Sequence, residues 1–488
     1  MAIFPSGRRR TPGPVAAGVL ILGVALLERP ADSLSRLIVF GALRPYVALR
    51  HRDFRRLVAT QLLSATGSQM QVVAINWHVY LLTRSPLALG FVGLTRVVPI
   101  IAFSLWGGLL ADRLDRRKLM ATTQSAMTVV ALVLAAVTFL HRESLWIIYA
   151  LNALSAAAVA FDGPSRQALL PRLVPAEELS GALSLNFAAF QIAMISGPAL
   201  SGIIIAGTGA GMVPRAPLPP GVAIHTTGLA WIYLLNALSF LGVIGALLTM
   251  RTSGKVIESQ APSHPLHALQ EGLRFVFTTP LIVWTMALDF LATFFSGAMS
   301  LLPIFADQIL KVGASGYGFL VSAPAVGALA GSVWTSVRPL PARQGKVFLW
   351  AVGAYGAATV VFGLSRSFPL TLAALAATGL ADAISTVIRQ TLRQLITPDA
   401  LRGRMTSVNM IFFMGGPQLG EVEAGVVGAL FGATASVVSG GIATIGIAAV
   451  IAWKARALRD YGGPRASGPS ARRAAESATP PQAGLPES

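Results

Sequence analysis

Twelve stretches of about 20 mostly apolar residues recur along almost the whole sequence, and they leave the chain very few possible folds. A helix of this length crosses the ~30 Å hydrocarbon core of a bilayer, whereas a soluble domain rarely needs more than one or two. Only 12% of the residues are charged, against about 25% in soluble domains. The sequence therefore predicts an all-α integral membrane protein with twelve transmembrane helices. The stretches lie near residues 56–82, 88–111, 119–140, 144–165, 180–206, 228–250, 281–305, 316–336, 346–364, 368–388, 405–431 and 434–453.

The net charge of +18 indicates membrane topology and not nucleic-acid binding, because of where the cations lie. Loops on one side of the predicted bundle carry most of them: Arg113, Arg116, Arg117, Lys118, Arg172, Arg251, Lys255, Arg274, Arg338, Arg343, Lys346, Arg402 and Arg404. Cytoplasmic loops are enriched in Lys and Arg. We therefore expect a multi-pass protein of the bacterial inner membrane, surrounded by lipid bilayer, with both termini cytoplasmic.

The second half of the chain repeats the first at a shift of 223 residues, since "SLNFAAF" at 184–190 returns as "SVNMIFF" at 407–413. The same shift aligns rarer residues: Arg166 with Arg389, Pro175 with Pro398, Asn186 with Asn409, Gly197 with Gly420, Gly202 with Gly425 and Gly108 with Gly331. A constant shift through helices and loops predicts two six-helix halves related by pseudo-symmetry, a common transporter architecture with its site near mid-membrane.

This duplication sets the expected domains. Residues 1–50 form an N-terminal cytoplasmic or interfacial extension, 51–250 the first half, 251–279 a cytoplasmic linker, 280–455 the second half and 456–488 a disordered tail rich in Pro, Gly, Ala and Ser. Within the linker an amphipathic helix is expected along the membrane surface, with its apolar face formed by Leu266, Leu269, Leu273 and Phe277.

Between the second and third spans the chain reads "GGLLADRLDRRKLM", residues 107–120. This segment resembles the G-x-L-A-D-R-x-G-R-[RK] signature of the major facilitator superfamily, although Asp115 stands where the signature usually has glycine. The resemblance implies an intracellular gate formed by Gly108, Asp112, Arg113, Arg116 and Arg117. A basic loop that only anchors the topology is the alternative.

In the fifth span, "ISGPALSG" at 195–202 resembles part of the superfamily's antiporter motif, at Gly197, Pro198 and Gly202. A Gly-Pro pair kinks a helix and lets backbones approach closely, so simple packing is the alternative. With "ALRHRDFRRL", "HPLHALQEGLRFVFTTPLI" and "RQTLRQLITPDALRGRMTSVN", residues 43–455 look like the enterobactin-exporter-like and macrolide-efflux-like branch. That resemblance implies proton-linked efflux of a small molecule.

In such a fold the first, fourth, seventh and tenth spans line the central cavity, and each carries polar residues, which lipid would leave unsatisfied. In the seventh span Thr285, Asp289, Thr293, Ser296 and Ser300 recur every three or four residues, so we expect them to share one helix face. The candidate cavity residues are Gln69, Asn76, Arg96, Asn152, Thr293, Ser296, Thr378, Ser385, Thr386 and Arg389.

Acidic residues in the spans are candidates for proton coupling, because an ionised acid at mid-membrane costs about 2.5–3.5 kcal/mol on insertion scales. They are Asp162, Asp289, Asp382 and Glu421. A static pair with Arg96, Arg166 or Arg389 is the alternative for each. Glu421 shares a helix face with small or polar residues, whereas Glu423 lies about 200° away in a more apolar setting and stays undecided.

The sequence favours a secondary active transporter, a proton-coupled exporter of a siderophore-like or drug-like molecule, acting as a monomer by alternating access. An importer or a lysophospholipid flippase on the same fold, or a non-transporting sensor, remain alternatives. The chain lacks G-x-x-x-x-G-K-[ST], G-x-S-x-G and H-E-x-x-H, and it contains no cysteine, so we expect no enzyme activity, no cofactor and no metal site.

Overall fold

The computed structural model describes residues 47–209, 226–252, 265–338, 342–398 and 401–462. Residues 1–46 of the predicted extension at 1–50 and residues 463–488 of the predicted tail at 456–488 lie outside the described residues. Six long helices form the N-terminal half: α1 Arg52–Thr83, α2 Pro86–Arg113, α3 Arg116–Phe139, α4 Leu145–Leu169, α5 Leu179–Gly207 and α6 Thr227–Thr249.

Helix α7, Pro265–Thr278, precedes the C-terminal half, which consists of α8 Pro280–Phe295, α9 Gly313–Val337, α10 Gln344–Leu364, α11 Phe368–Ile396, α12 Arg402–Phe431 and α13 Ala433–Lys454. Ten spans of the described chain are long and apolar enough to cross a membrane. The other two long helices, α1 and α12, have 32 and 30 residues, enough to span at 1.5 Å per residue, and they pack inside the same bundle. The all-α membrane fold is thus confirmed.

Local sequence explains where the helices begin and end. Ser85 and Ser144 accept hydrogen bonds from the first-turn N–H groups of α2 and α4, and Asp115 accepts from Arg117 and Lys118 at 2.9 and 3.2 Å. Side-chain oxygens at these positions satisfy donors that a helix start leaves free. Asp115, the residue that departs from the superfamily signature, is therefore the N-cap of α3.

The seventh span is not one straight helix. Helix α8 ends at Phe295, and the chain continues from Ala298 to Ile309 through short helical turns. The break lies at Gly297, which packs so tightly on α12 that an added Cβ would be 3.0 Å from the Cα of Gly420. Because of this break, the prediction that Ser300 shares a face with Thr285 is wrong.

Helix α7 packs on the beginning of α12, where Gly272 lies against the backbone carbonyl of Arg404 and Glu271 forms an ion pair with Arg404. Val276 is buried and Leu273 partly buried in that contact, whereas Phe277 is exposed. The side chains of Leu266 and Leu269 lie outside the described residues. The apolar face therefore turns partly toward the bundle and partly outward at Phe277.

The two halves meet through α2 against α12 and α5 against α9, where glycines replace side chains. A Cβ on Gly425 would be 2.8 Å from the Cα of Gly90, and one on Gly202 would be 2.9 Å from that of Gly318. Gly425 and Gly202 are equivalent in the sequence repeat, and their helix pairs are equivalent too. Backbones at this distance fit together only where both sides are small.

One buried apolar cluster contains residues from eleven of the twelve long helices outside α7, and from the short helical turns that follow the twelfth, α8. It lies at the end of the bundle where α1 ends at Thr83, which we call the closed end. The other buried clusters each belong to one half alone. We call the opposite end, where α1 begins at Arg52, the open end, because no buried cluster among the described residues joins the halves there.

Candidate transport site

A small pocket between α8, α10 and α11 holds two of the predicted acids. Its empty volume is about 250 Å³, part of it open to solvent. Asp289 is buried and forms an ion pair with Arg389. Asp382, whose side chain is 44% exposed, lies 3.5 Å from the same guanidinium. One buried cation therefore serves one buried and one accessible carboxylate. The pocket is lined by Asp289, Ala292, Thr293, Ala351, Val352, Tyr355, Ala381, Asp382, Ser385 and Arg389.

Sequence reasoning missed two groups at this pocket. Tyr355 of α10 lines it, although the ninth span was not expected to reach the cavity. Arg393 is buried one turn beyond Arg389, and it donates to the Arg389 carbonyl at 3.2 Å and to the side-chain oxygen of Asn409 on α12. The four-residue spacing of the two arginines was the available signal, since residues four apart share a helix face.

Arg166 of the N-terminal half, which the sequence repeat aligns with Arg389, has a different set of partners. Asp162 is buried and pairs with Arg166 on the next turn of α4. The carboxylate also accepts hydrogen bonds from Thr123 at 3.1 Å and Gln124 at 2.9 Å. Gln61 of α1 accepts from Arg166 once its amide is placed with the oxygen toward the guanidinium. Asp162 is thus fully engaged, unlike Asp382.

Glu421 lies at the contact between the halves. Its carboxylate packs against the backbone of α2 at Gly93, where an added Cβ would be 2.7 Å from an oxygen of Glu421. Arg96, one turn further along α2, is near enough to attract the carboxylate electrostatically. Glu423 is half-buried, and one of its carboxylate oxygens is buried with no hydrogen-bond partner among the described residues.

The remaining predicted cavity residues are not gathered in one place. Asn152 donates to Thr95 at 2.8 Å and joins α4 to α2, while Asn76 donates to a carbonyl of its own helix. Ser296 lies 2.8 Å from Thr444 and faces α13. Only Thr293, Ser385 and Arg389 line the pocket itself, with Thr386 accepting from Arg389 at 2.8 Å. Of the rest, Thr378 bonds a carbonyl of its own helix and Gln69 is half-buried beside Gly197.

The described residues of the predicted gate bind helix ends in the N-terminal half. Arg116 donates to the Ala168 carbonyl at 3.0 Å, and Arg117 donates to the Leu248 and Met250 carbonyls at 2.8 and 2.9 Å. Cations at helix C-termini stabilise carbonyls that lack intrahelical partners. Gly108 and the side chains of Asp112 and Arg113 are outside the part of the chain whose surroundings the structure describes.

The "ISGPALSG" segment of α5 packs between α1 and α9. A Cβ on Gly197 would be 2.6 Å from the Cβ of Gln69, and Ser201 donates to the Met70 carbonyl at 3.1 Å. Pro198 lies inside the helix, and its carbonyl faces Gly318 of α9. Tight packing accounts for this set of small residues.

At the closed end, side chains join the halves directly. Tyr80 donates to Asp307 at 2.6 Å and accepts from Gln308 at 3.2 Å. The Trp77 ring stacks on Tyr317 with centroids 5.4 Å apart. These contacts hold the end of α1 against α9 and the segment before it.

Two six-helix halves, a shared closed end and a charged pocket within the C-terminal half define a secondary transporter of the major facilitator type, a multi-pass protein of the inner membrane and not an enzyme. The chain matches the family described as "Transmembrane secretion effector" over residues 43–462. It belongs to that family.

Curated relatives include the enterobactin exporter EntS of Shigella boydii serotype 18 (strain CDC 3083-94 / BS512) and that of Escherichia coli O139:H28 (strain E24377A / ETEC). Each is 26% identical over 392 residues, covering 80% of this chain and 89% of the relative. A match of this length extends into both halves.

Solved structures share the fold at lower identity. A bacterial homologue of the human lysosomal transporter Spinster, in an inward-facing and occupied conformation, gives a TM-score of 0.66 at 14% identity, covering 85% of this chain and 99% of that one. A D-xylose-proton symporter gives 0.62 at 15% identity, covering 83% and 98%. The fold alone therefore does not determine transport direction.

Proposed function

We propose that this protein is a proton-coupled exporter of a siderophore-like or drug-like small molecule and acts by alternating access. Support for export comes from the enterobactin exporters, which match most of the chain. The basic loops support a cytoplasmic location for the open end, and a transporter open at that end receives substrate from inside the cell. A monomer has both halves and the whole pocket, so one chain is the proposed unit.

The observation that carries proton coupling is the sharing of Arg389 between Asp289 and Asp382. Asp289 is buried beside its cation, and removing that carboxylate would leave the buried Arg389 with the longer, 3.5 Å contact to the more exposed Asp382. Asp382 is the accessible acid and can take up a proton without breaking the Asp289 pair. We therefore assign proton exchange to Asp382 and the positioning of Arg389 to Asp289. Glu421 and Asp162 are secondary candidates, and the loop with Asp112 and Arg113 is the proposed gate.

The test is pH-gradient-driven accumulation in inside-out vesicles, with a catecholate siderophore, a macrolide and a cationic dye as probes. Asp382→Asn mimics the protonated acid, so we expect it to bind a transported probe while losing uphill accumulation. Asp289→Asn should lower the amount of folded protein as well, because breaking a buried pair costs about 3–5 kcal/mol. Glu177→Gln, an exposed loop acid, is the matched control and should transport normally.

Full uphill transport by Asp382→Asn would overturn this assignment of the proton. Accumulation of labelled lysophospholipid, with none of the three probes moved, would instead support the flippase alternative. Uptake into right-side-out vesicles would support an importer.

A further inference from the structure

A second group of titratable side chains lies in the N-terminal half, far along the chain from the acids of α8 and α11. His78, near the end of α1, is completely buried. Its Nδ1 is 3.2 Å from the Tyr233 hydroxyl of α6, and the two rings are stacked. Its Nε2 is 3.9 Å from a carboxylate oxygen of Glu143, in the turn between α3 and α4.

A hydrogen bond positions Glu143, but Glu143 and His78 are not hydrogen-bonded to each other. Thr226, just before α6, donates to the Glu143 carboxylate at 3.0 Å. The His78 Nε2 and the second Glu143 oxygen are buried with no hydrogen-bond partner among the described residues. At 3.9 Å the imidazole and carboxylate are too far apart for a hydrogen bond but close enough for an ion pair. Buried polar atoms without partners are uncommon in native proteins and need an explanation.

Protonation of His78 would explain why its Nε2 faces the Glu143 carboxylate. The groups that face His78 are Glu143 from the α3–α4 turn and Tyr233 from α6, with Thr226 behind the carboxylate. A neutral imidazole has one N–H donor, whereas an imidazolium has two and carries a charge. Tyr233 can donate its hydroxyl to a neutral ring, which then directs its one N–H toward Glu143. Protonation adds the charge that makes the 3.9 Å contact an ion pair, and that pair is strong because water is excluded.

The position of this pair connects it to the closed end. Trp77, adjacent to His78, stacks on Tyr317, and Tyr80, two residues further on, donates to Asp307. An ion pair at His78 fixes the same helical turn that supplies both contacts with the C-terminal half. We propose that His78 and Glu143 form a proton-binding site that stabilises the closed end, separate from the acids of the C-terminal half.

The experiment uses the absence of cysteine from the sequence. Leu140→Cys and Arg366→Cys, both at exposed positions in loops of the closed end on opposite halves, receive spin labels, and their distance distribution is measured from pH 5 to 8 without substrate. We expect the longer distance to become more populated as pH rises, since neutral His78 has no charge to form an ion pair with Glu143. His78→Gln and Glu143→Gln should each remove this response, whereas His141→Gln, an exposed histidine in the same turn, should retain it.

The same measurement in an Asp382→Asn background separates this site from the proposed transport function, because the response from His78 should persist there. A wild-type pH response in folded His78→Gln would overturn the proposal. Tyr233→Phe keeps both titrating groups and loses one hydrogen bond, so its midpoint should move by about half a pH unit or more. An unchanged midpoint in Tyr233→Phe would also contradict the proposal, which stays testable if His78→Gln does not fold.

Discussion

At the scale of single residues, Glu421 and Glu423 have different surroundings although one residue separates them. The sequence predicted that Glu421 shares a helix face with Gly425 and Gly428, and the structure has that face against α2 at Gly93 and Pro86. Helical periodicity is enough to sort two acids onto two faces. It does not reveal partners from distant segments, so the approach of Arg96 to Glu421 and of Arg389 to both Asp289 and Asp382 needed the structure.

Glu421→Gln should reduce uphill transport more than Glu423→Gln, because among the described residues Glu421, and not Glu423, has a cation nearby, Arg96. Arg96→Gln should impair transport as well, and the double variant should be less impaired than the sum of the two. We expect a coupling free energy of about 0.5–3 kcal/mol from this double-mutant cycle. Strictly additive effects would show that Arg96 and Glu421 act independently.

At the scale of helices, the lengths and order of the spans follow from apolar runs and capping residues, and most predicted boundaries agree with the structure within a few residues. The prediction failed in the seventh span, where an apolar run hides the break at Gly297. Hydropathy cannot detect such a break, since glycine and serine are as acceptable in a straight membrane helix as in an interrupted one. The break is explained by the close backbone contact between Gly297 and Gly420, which is visible only in the structure.

Gly318→Val should separate α5 from α9 and lower both transport and thermal stability. An added side chain there meets the backbone of Pro198 and Gly202, and overpacking of this kind typically costs about 1–3 kcal/mol. The matched control is Gly245→Val on α6, where an added Cβ meets nothing within 4 Å. The unfolding midpoint in detergent and vesicle transport are measured together. Equal stability of the two variants would show that the contact tolerates expansion.

At the scale of the whole molecule, the repeat in the sequence corresponds to repeat-related contacts in space. Gly197 approaches α1 and Gly420 approaches α8, while Gly202 approaches α9 and Gly425 approaches α2. Two halves joined by equivalent contacts were predictable from the 223-residue shift. The sequence did not predict which end of the bundle is closed. Closure at either end buries similar sequences, and the two states of a bistable transporter differ by only a few kcal/mol.

Tyr80→Phe removes the hydroxyl that bonds Asp307 and Gln308, so it should favour opening of the closed end. A hydrogen bond to a charged group contributes about 1.5 kcal/mol or more, which corresponds to roughly a tenfold change in population. The spin-label pair at positions 140 and 366 measures this change, with Tyr461→Phe at the open end as control. An unchanged distance distribution would assign closure to apolar packing alone.

The apolar cluster at the closed end, to which both halves contribute, also prevents water and ions from crossing the protein. A continuous file of water through the protein would let ions leak and dissipate the membrane potential, at about 2.3 kcal/mol for each charge crossing 100 mV. Close-packed apolar interiors stay dry, because a water molecule needs both space and polar partners. Water that reaches Asp289 and Asp382 from the open end would therefore not open a path for ions across the membrane. A cell that holds many copies of this carrier at rest should keep its ion gradients intact.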